Sequence, residues 1–167
     1  MNVKQLCLLV IFGLTLFASC STSKQLDKDT EEWRYQIEAV NTGKQGTYQV
    51  KVWTYTPKAE WAEAQAPKNA VHGVLFKGFP TKDRVKGQRP LITDPGAATQ
   101  HEEFFKTFFA DGGEYARFVT MVGPPAPGDF IKVGKEYKVG QVASVSTTEL
   151  RKYLESNQII KALDSGF

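Results

Sequence analysis

The segment Thr47–Thr56, TYQVKVWTYT, is the stretch on which the fold of this chain depends. Its β-branched and aromatic residues favour a strand. The earlier run Trp33–Ala39 alternates apolar and polar side chains, which is the period of a half-buried strand. Between them lies Asn41–Gly46, NTGKQG, whose residues are typical of turns. These segments together predict a β-hairpin with a longer loop.

Beyond the hairpin, the hydrophobic pattern predicts three more strands and three helices. The strands are expected over Val71–Phe76, Tyr115–Val122 and Tyr137–Val145. The helices are expected over Lys58–Ala66, which Pro67 ends, over Thr99–Ala110, and from the capping-box pattern of Ser146 and Glu149 onward. The order ββαβαββα defines a single α+β domain, with a mixed, mainly antiparallel sheet of about five strands.

The first twenty residues have the pattern of a secretion signal. Lys4 gives a positive start, and the apolar run Leu6–Phe17 is followed by small residues and a cysteine. This run is too short for the roughly 20 residues of a membrane-spanning helix. Its end, LFASC at Leu16–Cys20, resembles a bacterial lipobox, which implies removal of residues 1–19 and fatty acyl chains such as palmitate on Cys20. The alternative is an uncleaved membrane anchor with an incidental cysteine.

Residues 20–32 are polar after the cysteine and are expected to form a flexible tether, while residues 33–167 form the domain. Ser21 lacks the aspartate associated with inner-membrane retention in enterobacterial lipoproteins. The acids begin only at Asp27, whereas surface-exported lipoproteins of Bacteroidetes carry them directly after the cysteine. We therefore expect a cell-envelope protein, held at the outer membrane by lipid on Cys20 and facing the periplasm.

Composition excludes several classes of protein. With 23% charged and 12% aromatic residues, the chain of 167 residues is not disordered. Two cysteines exclude a disulfide scaffold, and Cys7 lies in the predicted signal, so the domain keeps no free thiol. A net charge of +3 is too small to indicate a nucleic-acid binder.

Several runs carry a resemblance to a known group of proteins. They are KVWTYTP at Lys51–Pro57, AVHGVLFKGF at Ala70–Phe79, the phenylalanine pairs at 104–105 and 108–109, LRKYL at Leu150–Leu154, and the final Gly166-Phe167. In these runs the chain resembles small lipoproteins from gut Bacteroidetes, over most of its mature length. That group has no assigned activity, so the resemblance implies an envelope location and no catalytic residue.

Two stretches resemble metal or phosphate motifs and fail. His101–Phe105, HEEFF, begins like a zinc-protease helix, but Phe105 stands where the second histidine is needed. In Gly128–Lys135 five residues separate the glycines instead of the four of a phosphate loop, and Glu136 follows where a hydroxyl would hold magnesium. With two histidines and no free cysteine, we expect no metal or other cofactor.

Two groups of residues have both a structural and a functional interpretation. His72 is expected to be hydrogen-bonded in or beside the core, and the alternative is a lone general base. The four phenylalanines form a broad apolar helix stripe, expected to pack in the core; the alternative is a groove for a lipid or a peptide.

The loop Gly78–Ala98 is the predicted contact surface. At about twenty residues it is unusually long for a compact domain, and loops often carry function. The residues expected to make contact are Phe79, Lys82, Arg84, Lys86 and Arg89. The positive charge of the two lysines and two arginines suits anionic lipid headgroups or a glycan.

The preferred hypothesis is a non-enzymatic envelope lipoprotein, a binding or adaptor module whose partner is an envelope protein or a glycan. The alternative is a small hydrolase that acts on envelope or dietary glycan through carboxylates. Its candidate residues are Asp94, Glu102, Glu103 and Asp111. That alternative requires two of them to face each other across a cleft, about 5–10 Å apart.

Overall fold

The computed structural model describes residues 33–44 and 46–162. Five strands and four helices lie within these residues. The strands are β1 (Tyr35–Thr42), β2 (Tyr48–Thr56), β3 (Val119–Met121), β4 (Phe130–Val133) and β5 (Glu136–Val145). The helices are α1 (Ala59–His72), α2 (Ala97–Gln100), α3 (Glu102–Phe108) and α4 (Thr147–Ser156). Shorter helical turns are Gly73–Lys77, of the π type, and Glu114–Phe118 and Pro127–Asp129, of the 3-10 type.

The sheet is built around the predicted hairpin and is antiparallel in every described pairing. Strand β2 pairs with β1 on one side and with β5 on the other. The far edge of β5 pairs with β4 near its beginning and with β3 near its end. The α+β class and the mainly antiparallel sheet are therefore confirmed, and the chain from Arg34 onward forms one compact unit.

Helix α1 covers one face of this sheet. Along β2, Val50, Val52 and Thr54 point to that face and are fully buried. The amide Nδ2 of Asn69, on α1, donates a hydrogen bond of 3.1 Å to Oγ1 of Thr54. Because neighbouring side chains on a strand point to opposite faces, Trp53 must lie on the other face. The sheet is thus covered by helix on the Thr54 side and keeps part-exposed side chains on the Trp53 side.

The prediction of a strand over Val71–Phe76 is wrong. Helix α1 continues through Pro67 to His72, and the π-helical turn Gly73–Lys77 extends it. A short apolar run is compatible with a buried strand or a buried helix, and in this one Val71, Val74 and Leu75 are fully buried. Packing of buried alanines on α1 outweighs the hydrogen bond lost at the proline, since most helix stability comes from tertiary contacts.

Three other predicted elements differ in detail. The helix expected over Thr99–Ala110 is two helices, because the chain leaves helical geometry at His101. The strand expected over Tyr115–Val122 begins as a 3-10 turn and keeps only β3. Strand β4 was not predicted, because all four of its residues are exposed and show no alternation.

Helix α4 starts after Ser146 as predicted, but without the predicted capping box. Ser146 makes no side-chain cap hydrogen bond. The carbonyl of Gly46, in the hairpin loop, instead accepts from the backbone N–H of Thr148 and from Oγ1 of Thr147, both at 3.1 Å. A contact between distant parts of the chain therefore replaces the local one.

The phenylalanine stripe packs in the core, as preferred from the sequence. Phe105, Phe108 and Phe109 are buried, and Phe104 is half-buried. The rings of Phe104 and Phe108 stack with centroids 5.7 Å apart. The stripe therefore contributes to stability by aromatic packing.

Candidate functional site: the open sheet face

The side of the sheet opposite α1 is centred on Trp53. This residue pairs across the strands with Gly140 of β5. A Cβ atom on Gly140 would lie only 2.8 Å from the Trp53 ring, so the indole packs directly on the glycine backbone. A glycine inside a strand often marks such a close approach. Tyr55 lies two residues further along the same strand and points to the same face.

Two lysines flank this aromatic pair. The Nζ atoms of Lys51 and Lys138 lie 4.6 Å and 4.9 Å from the centroid of the Trp53 ring. Lys138 Nζ is also 5.4 Å from the centroid of the Tyr55 ring. These distances allow cation–π attraction. Ammonium groups therefore lie over the rings of this aromatic pair.

Acidic and amide groups hold the lysines and the indole in place. Trp53 Nε1 donates to Glu38 Oε1 at 3.2 Å, and Lys82 Nζ donates to Glu38 Oε2 at 2.8 Å. Lys51 Nζ donates to Asp129 Oδ1 at 2.5 Å. The remaining contact is from Lys138 Nζ to Gln36 Oε1, at 3.0 Å. We call the surface formed by these side chains the open sheet face: Gln36, Glu38, Lys51, Trp53, Tyr55, Lys82, Asp129 and Lys138.

Two carboxylates of the sheet, Glu38 and Glu136, have a lowered pKa. Burial raises the pKa of Glu38, but the hydrogen bonds from Lys82 and Trp53 and the charges of Lys82 and Lys51 outweigh burial and lower this pKa overall. At the end of the sheet, Arg34 donates two hydrogen bonds to Glu136, of 2.7 Å and 2.8 Å. These bonds lower the pKa of Glu136. Both carboxylates therefore serve as fixed acceptors near neutral pH.

The five predicted contact residues differ in exposure and in their neighbours. Phe79 is only 5% exposed, and its ring lies 5.5 Å from that of Tyr48, so its side chain belongs to the core. The exposed ones are Lys82, Arg84, Lys86 and Arg89. Lys82 belongs to the open sheet face, where it bonds to Glu38. Arg89 instead lines a separate groove, which is formed by residues within 88–101, 147–151 and 159–161.

Of the four candidate catalytic carboxylates, one lines the groove and three are exposed elsewhere. Asp94 lines the groove, and its Oδ1 accepts from the backbone N–H of Gly96. Glu102 and Glu103 are exposed in the first turn of α3, and Asp111 is exposed beside Lys68. Since only one of the four lines the groove, no two of them face each other across it.

His72 lies at the end of α1 instead of on a strand. Its Nδ1 atom is 2.6 Å from the hydroxyl of Tyr35. Burial, with a smaller contribution from the charge of Lys77, lowers the pKa of His72 to about 3. Burial also raises the pKa of Tyr35 well above its usual range. A neutral imidazole therefore accepts a hydrogen bond from a protonated phenol, which fits the structural interpretation.

The main residues of the open sheet face were not singled out from the sequence. Lys51 and Trp53 belong to a β-rich run and Asp129 to the stretch that fails as a phosphate loop, and none of the three was predicted to make contact. The available signal was Gly140, a glycine inside a predicted strand. A glycine of this kind indicates a site only when the residue opposite it on the neighbouring strand is known. That residue depends on the strand register, which the whole sheet sets.

Comparisons with protein-family models, with curated proteins and with solved structures found no match to this chain. The structure itself therefore defines the class: an α+β domain with an antiparallel sheet covered by helix on one face. Within residues 33–44 and 46–162, no helix is long and apolar enough to cross a membrane, and no three metal-ligating side chains gather as a site. Cys20, the signal and the tether lie outside the described residues.

Proposed function

We propose that this protein is a lipid-anchored lipoprotein of the cell envelope that acts as a non-enzymatic binding module, with a glycan as the ligand of its open sheet face. The lipoprotein part rests on the signal pattern that ends in LFASC at Leu16–Cys20. The glycan part rests on one observation: Trp53 and Tyr55 lie side by side among polar groups that the sheet holds in place.

The chemistry of a sugar matches this surface. A sugar ring presents an apolar C–H face and a rim of hydroxyl groups. Aromatic side chains pack against apolar faces, and Trp and Tyr also offer a polar atom. Around Trp53, Glu38 and Asp129 accept hydrogen bonds while Lys51 and Lys138 donate them. The open sheet face therefore combines a packing surface with both kinds of hydrogen-bonding partner.

The polar groups are held in place before a ligand binds. Lys51 and Asp129 bond to each other although they are 78 positions apart in the chain, and Glu38 is held by both Trp53 and Lys82. Groups that are already ordered lose less conformational entropy on binding. This arrangement supports recognition of a ligand by a rigid surface.

A glycan fits better than a protein partner. The cores of protein–protein interfaces are depleted in Lys, Glu and Asp. The open sheet face carries all three types at its centre, around a half-buried Trp53. Covering the Lys82–Glu38 pair, whose side chains are 48% and 28% exposed, with a protein would require removing its water, whereas a hydroxyl-rich ligand can share its hydrogen bonds.

The charge state of Glu38 argues against a role as the general acid of glycoside hydrolysis. A general acid for glycoside hydrolysis needs a carboxyl whose pKa is raised, so that it is protonated near neutral pH. The pKa of Glu38 is lowered, because Lys82 and Trp53 stabilise the ionised form more strongly than burial opposes it. Glu38 is therefore suited to accept hydrogen bonds from sugar hydroxyls.

Substitution of Trp53 tests this function. The full chain, purified in detergent, would be run in affinity gels containing envelope and dietary polysaccharides. We expect Trp53→Ala to weaken glycan binding by about tenfold or more, since loss of ~1.4 kcal/mol of aromatic contact corresponds to a factor of ten. The matched control is Trp61→Ala, because Trp61 is 44% exposed on α1, which packs on the other face of the sheet.

A second variant keeps the indole and moves it. Gly140→Ala places a methyl group 2.8 Å from the Trp53 ring and forces the ring to shift. We expect this variant to bind glycan more weakly than wild type. Equal retardation of wild type, Trp53→Ala and Gly140→Ala would contradict the proposal, and so would absence of retardation of the wild type by every polysaccharide.

A further inference from the structure

A groove of about 900 Å³ lies apart from the open sheet face. Its walls come from the loop that follows the π-helical turn, from α2, from the first turns of α4 and from the segment after α4. None of the residues that define the open sheet face lines it. Its volume is in the range of sites for small molecules, about 300–1,000 Å³.

The floor of this groove is apolar. Ile92, Ala97 and Ile159 line it and are buried, with exposed fractions of 4%, 4% and 9%. Leu91 and Ile160 add half-buried apolar surface beside them. An apolar ligand group is stabilised when it moves from water onto such a floor.

The rim of the groove is positively charged. Arg89, Arg151 and Lys161 line it from three different segments of the chain. Arg151 Nη1 also donates a long hydrogen bond of 3.4 Å to Glu155. The acid in the lining is Asp94, whose Oδ1 already accepts from the backbone N–H of Gly96. The balance of charge in the lining is therefore positive and complements an anion.

The walls are fixed by backbone hydrogen bonds. The N–H groups of Leu91 and Ile92 donate to the carbonyls of Val74 and Leu75, at 3.1 Å and 2.9 Å, and so fasten the loop to the helical turn before it. On the other side, the N–H of Ile159 donates to the carbonyl of Leu154 at 2.9 Å and holds the segment after α4. The groove therefore exists without a ligand.

We propose that this groove binds an anionic amphiphile, an acyl chain that carries a carboxylate or phosphate head group. The acyl chain packs on Ile92, Ala97 and Ile159, and the head group pairs with Arg151 and Lys161 at the rim. The inference does not depend on glycan binding, because the two surfaces share none of these residues.

The test uses water-soluble, short-chain probes. The full lipidated chain would be placed in nanodiscs of zwitterionic lipid and titrated calorimetrically with octyl phosphate, octanoate, octanol and inorganic phosphate, with empty nanodiscs as the blank. We expect octyl phosphate and octanoate to bind at least tenfold more tightly than octanol or phosphate alone. Neither half of the probe should suffice, because the groove offers an apolar floor and a cationic rim.

Variants assign the binding to this groove. A double variant that combines Arg89→Gln and Lys161→Gln, both at exposed positions, should weaken octyl phosphate binding at least tenfold. The single variant Arg151→Gln should do the same. The matched control is Lys152→Gln, since Lys152 is exposed on the same helix, pairs with Glu149 and does not line the groove. The proposal is overturned if octyl phosphate does not bind, if phosphate alone binds as tightly, or if all variants bind like the control. Trp53→Ala should leave this binding unchanged.

Discussion

At the scale of single residues, the imidazole of His72 is kept neutral by its surroundings. It accepts a hydrogen bond from Tyr35, and the rings of Phe76 and Phe109 lie 4.8 Å and 5.7 Å from it. Lys77 places a positive charge nearby and contributes to the lowered pKa. This combination of apolar contacts and a like charge disfavours the imidazolium.

The neutral state of His72 makes stability depend on pH. A histidine in an unfolded chain has a pKa of about 6.5, and folding lowers the pKa of His72 to about 3. Between these values the unfolded chain binds a proton that the folded chain does not. The contribution of His72 to the free energy of unfolding is therefore complete above about pH 6.5. As the pH falls from there to about 3, the free energy of unfolding decreases by up to about 1.4 kcal/mol per pH unit.

Urea unfolding of the full chain at pH 7, 6 and 5 checks this prediction. We expect the unfolding free energy of wild type to fall over this range more steeply than that of His72→Gln, which cannot titrate but still offers an acceptor to Tyr35. His101→Gln, at the only other histidine of the sequence, should behave like wild type. Parallel pH profiles for wild type and His72→Gln would refute the assignment.

At the scale of elements, the end of α4 shows how local geometry shapes the groove. The N–H of Gln158 donates to the carbonyl of Glu155 at 3.0 Å, and the N–H of Ile159 donates to that of Leu154 at 2.9 Å. This pair of bonds is a Schellman motif. It requires a left-handed residue, and Gln158 supplies it with φ of 59°. The turn brings Ile159 back to the groove floor.

A glycine at position 158 should therefore stabilise the protein. A residue with a side chain pays about 1–2 kcal/mol in left-handed geometry, whereas glycine adopts it readily. After its larger entropy in the unfolded chain is subtracted, we expect Gln158→Gly to raise the unfolding free energy by about 1 kcal/mol or less.

The neighbouring Asn157 provides the control for that measurement. It has φ of −92°, so it gains nothing from glycine, and its Nδ2 donates to the carbonyl of Tyr153 at 2.8 Å. Asn157→Gly should lower the unfolding free energy measured in urea. Equal destabilisation by both substitutions would show that the left-handed geometry at 158 carries no cost.

At the scale of the whole molecule, the two faces of the sheet have different surroundings. Helix α1 and the aromatic core cover the Thr54 side, while side chains on the Trp53 side stay partly exposed. An antiparallel sheet can have one face in water, because its connections need not cross that face. The open sheet face is therefore a consequence of topology.

Membrane attachment belongs to the same scale. We expect Cys20→Ala to abolish the lipidated mature form, so that the protein becomes soluble in the periplasm or stays an unprocessed precursor. Fractionation of cells, with the mass of the N-terminal peptide, measures both outcomes. Cys7→Ala is the matched control and should change neither. Normal cleavage with unchanged membrane association in Cys20→Ala would contradict the lipobox.

Much of the fold was predictable because its signals are local. Strands β1, β2 and β5 follow from alternation and β-branched residues, and the start of α4 follows from Ser146 and the apolar spacing after it. The strand predicted over Val71–Phe76 was wrong, because a continuous apolar run has no period that separates helix from strand. Strand β4 was missed because its pairing with β5 and not its own pattern makes it a strand.

The sequence by itself determined the α+β class, the hairpin, the exclusion of disulfide and disordered proteins, and the lipobox pattern that leads to the envelope proposal. Only the tertiary structure decided which sheet face is covered, that Trp53 rests on Gly140, and that Asp129 reaches Lys51. The physical reason is the distance along the chain over which each effect acts. Periodicity and turn chemistry act over a few residues, whereas a binding surface is made by side chains that strand register and helix packing bring together from far apart in the chain.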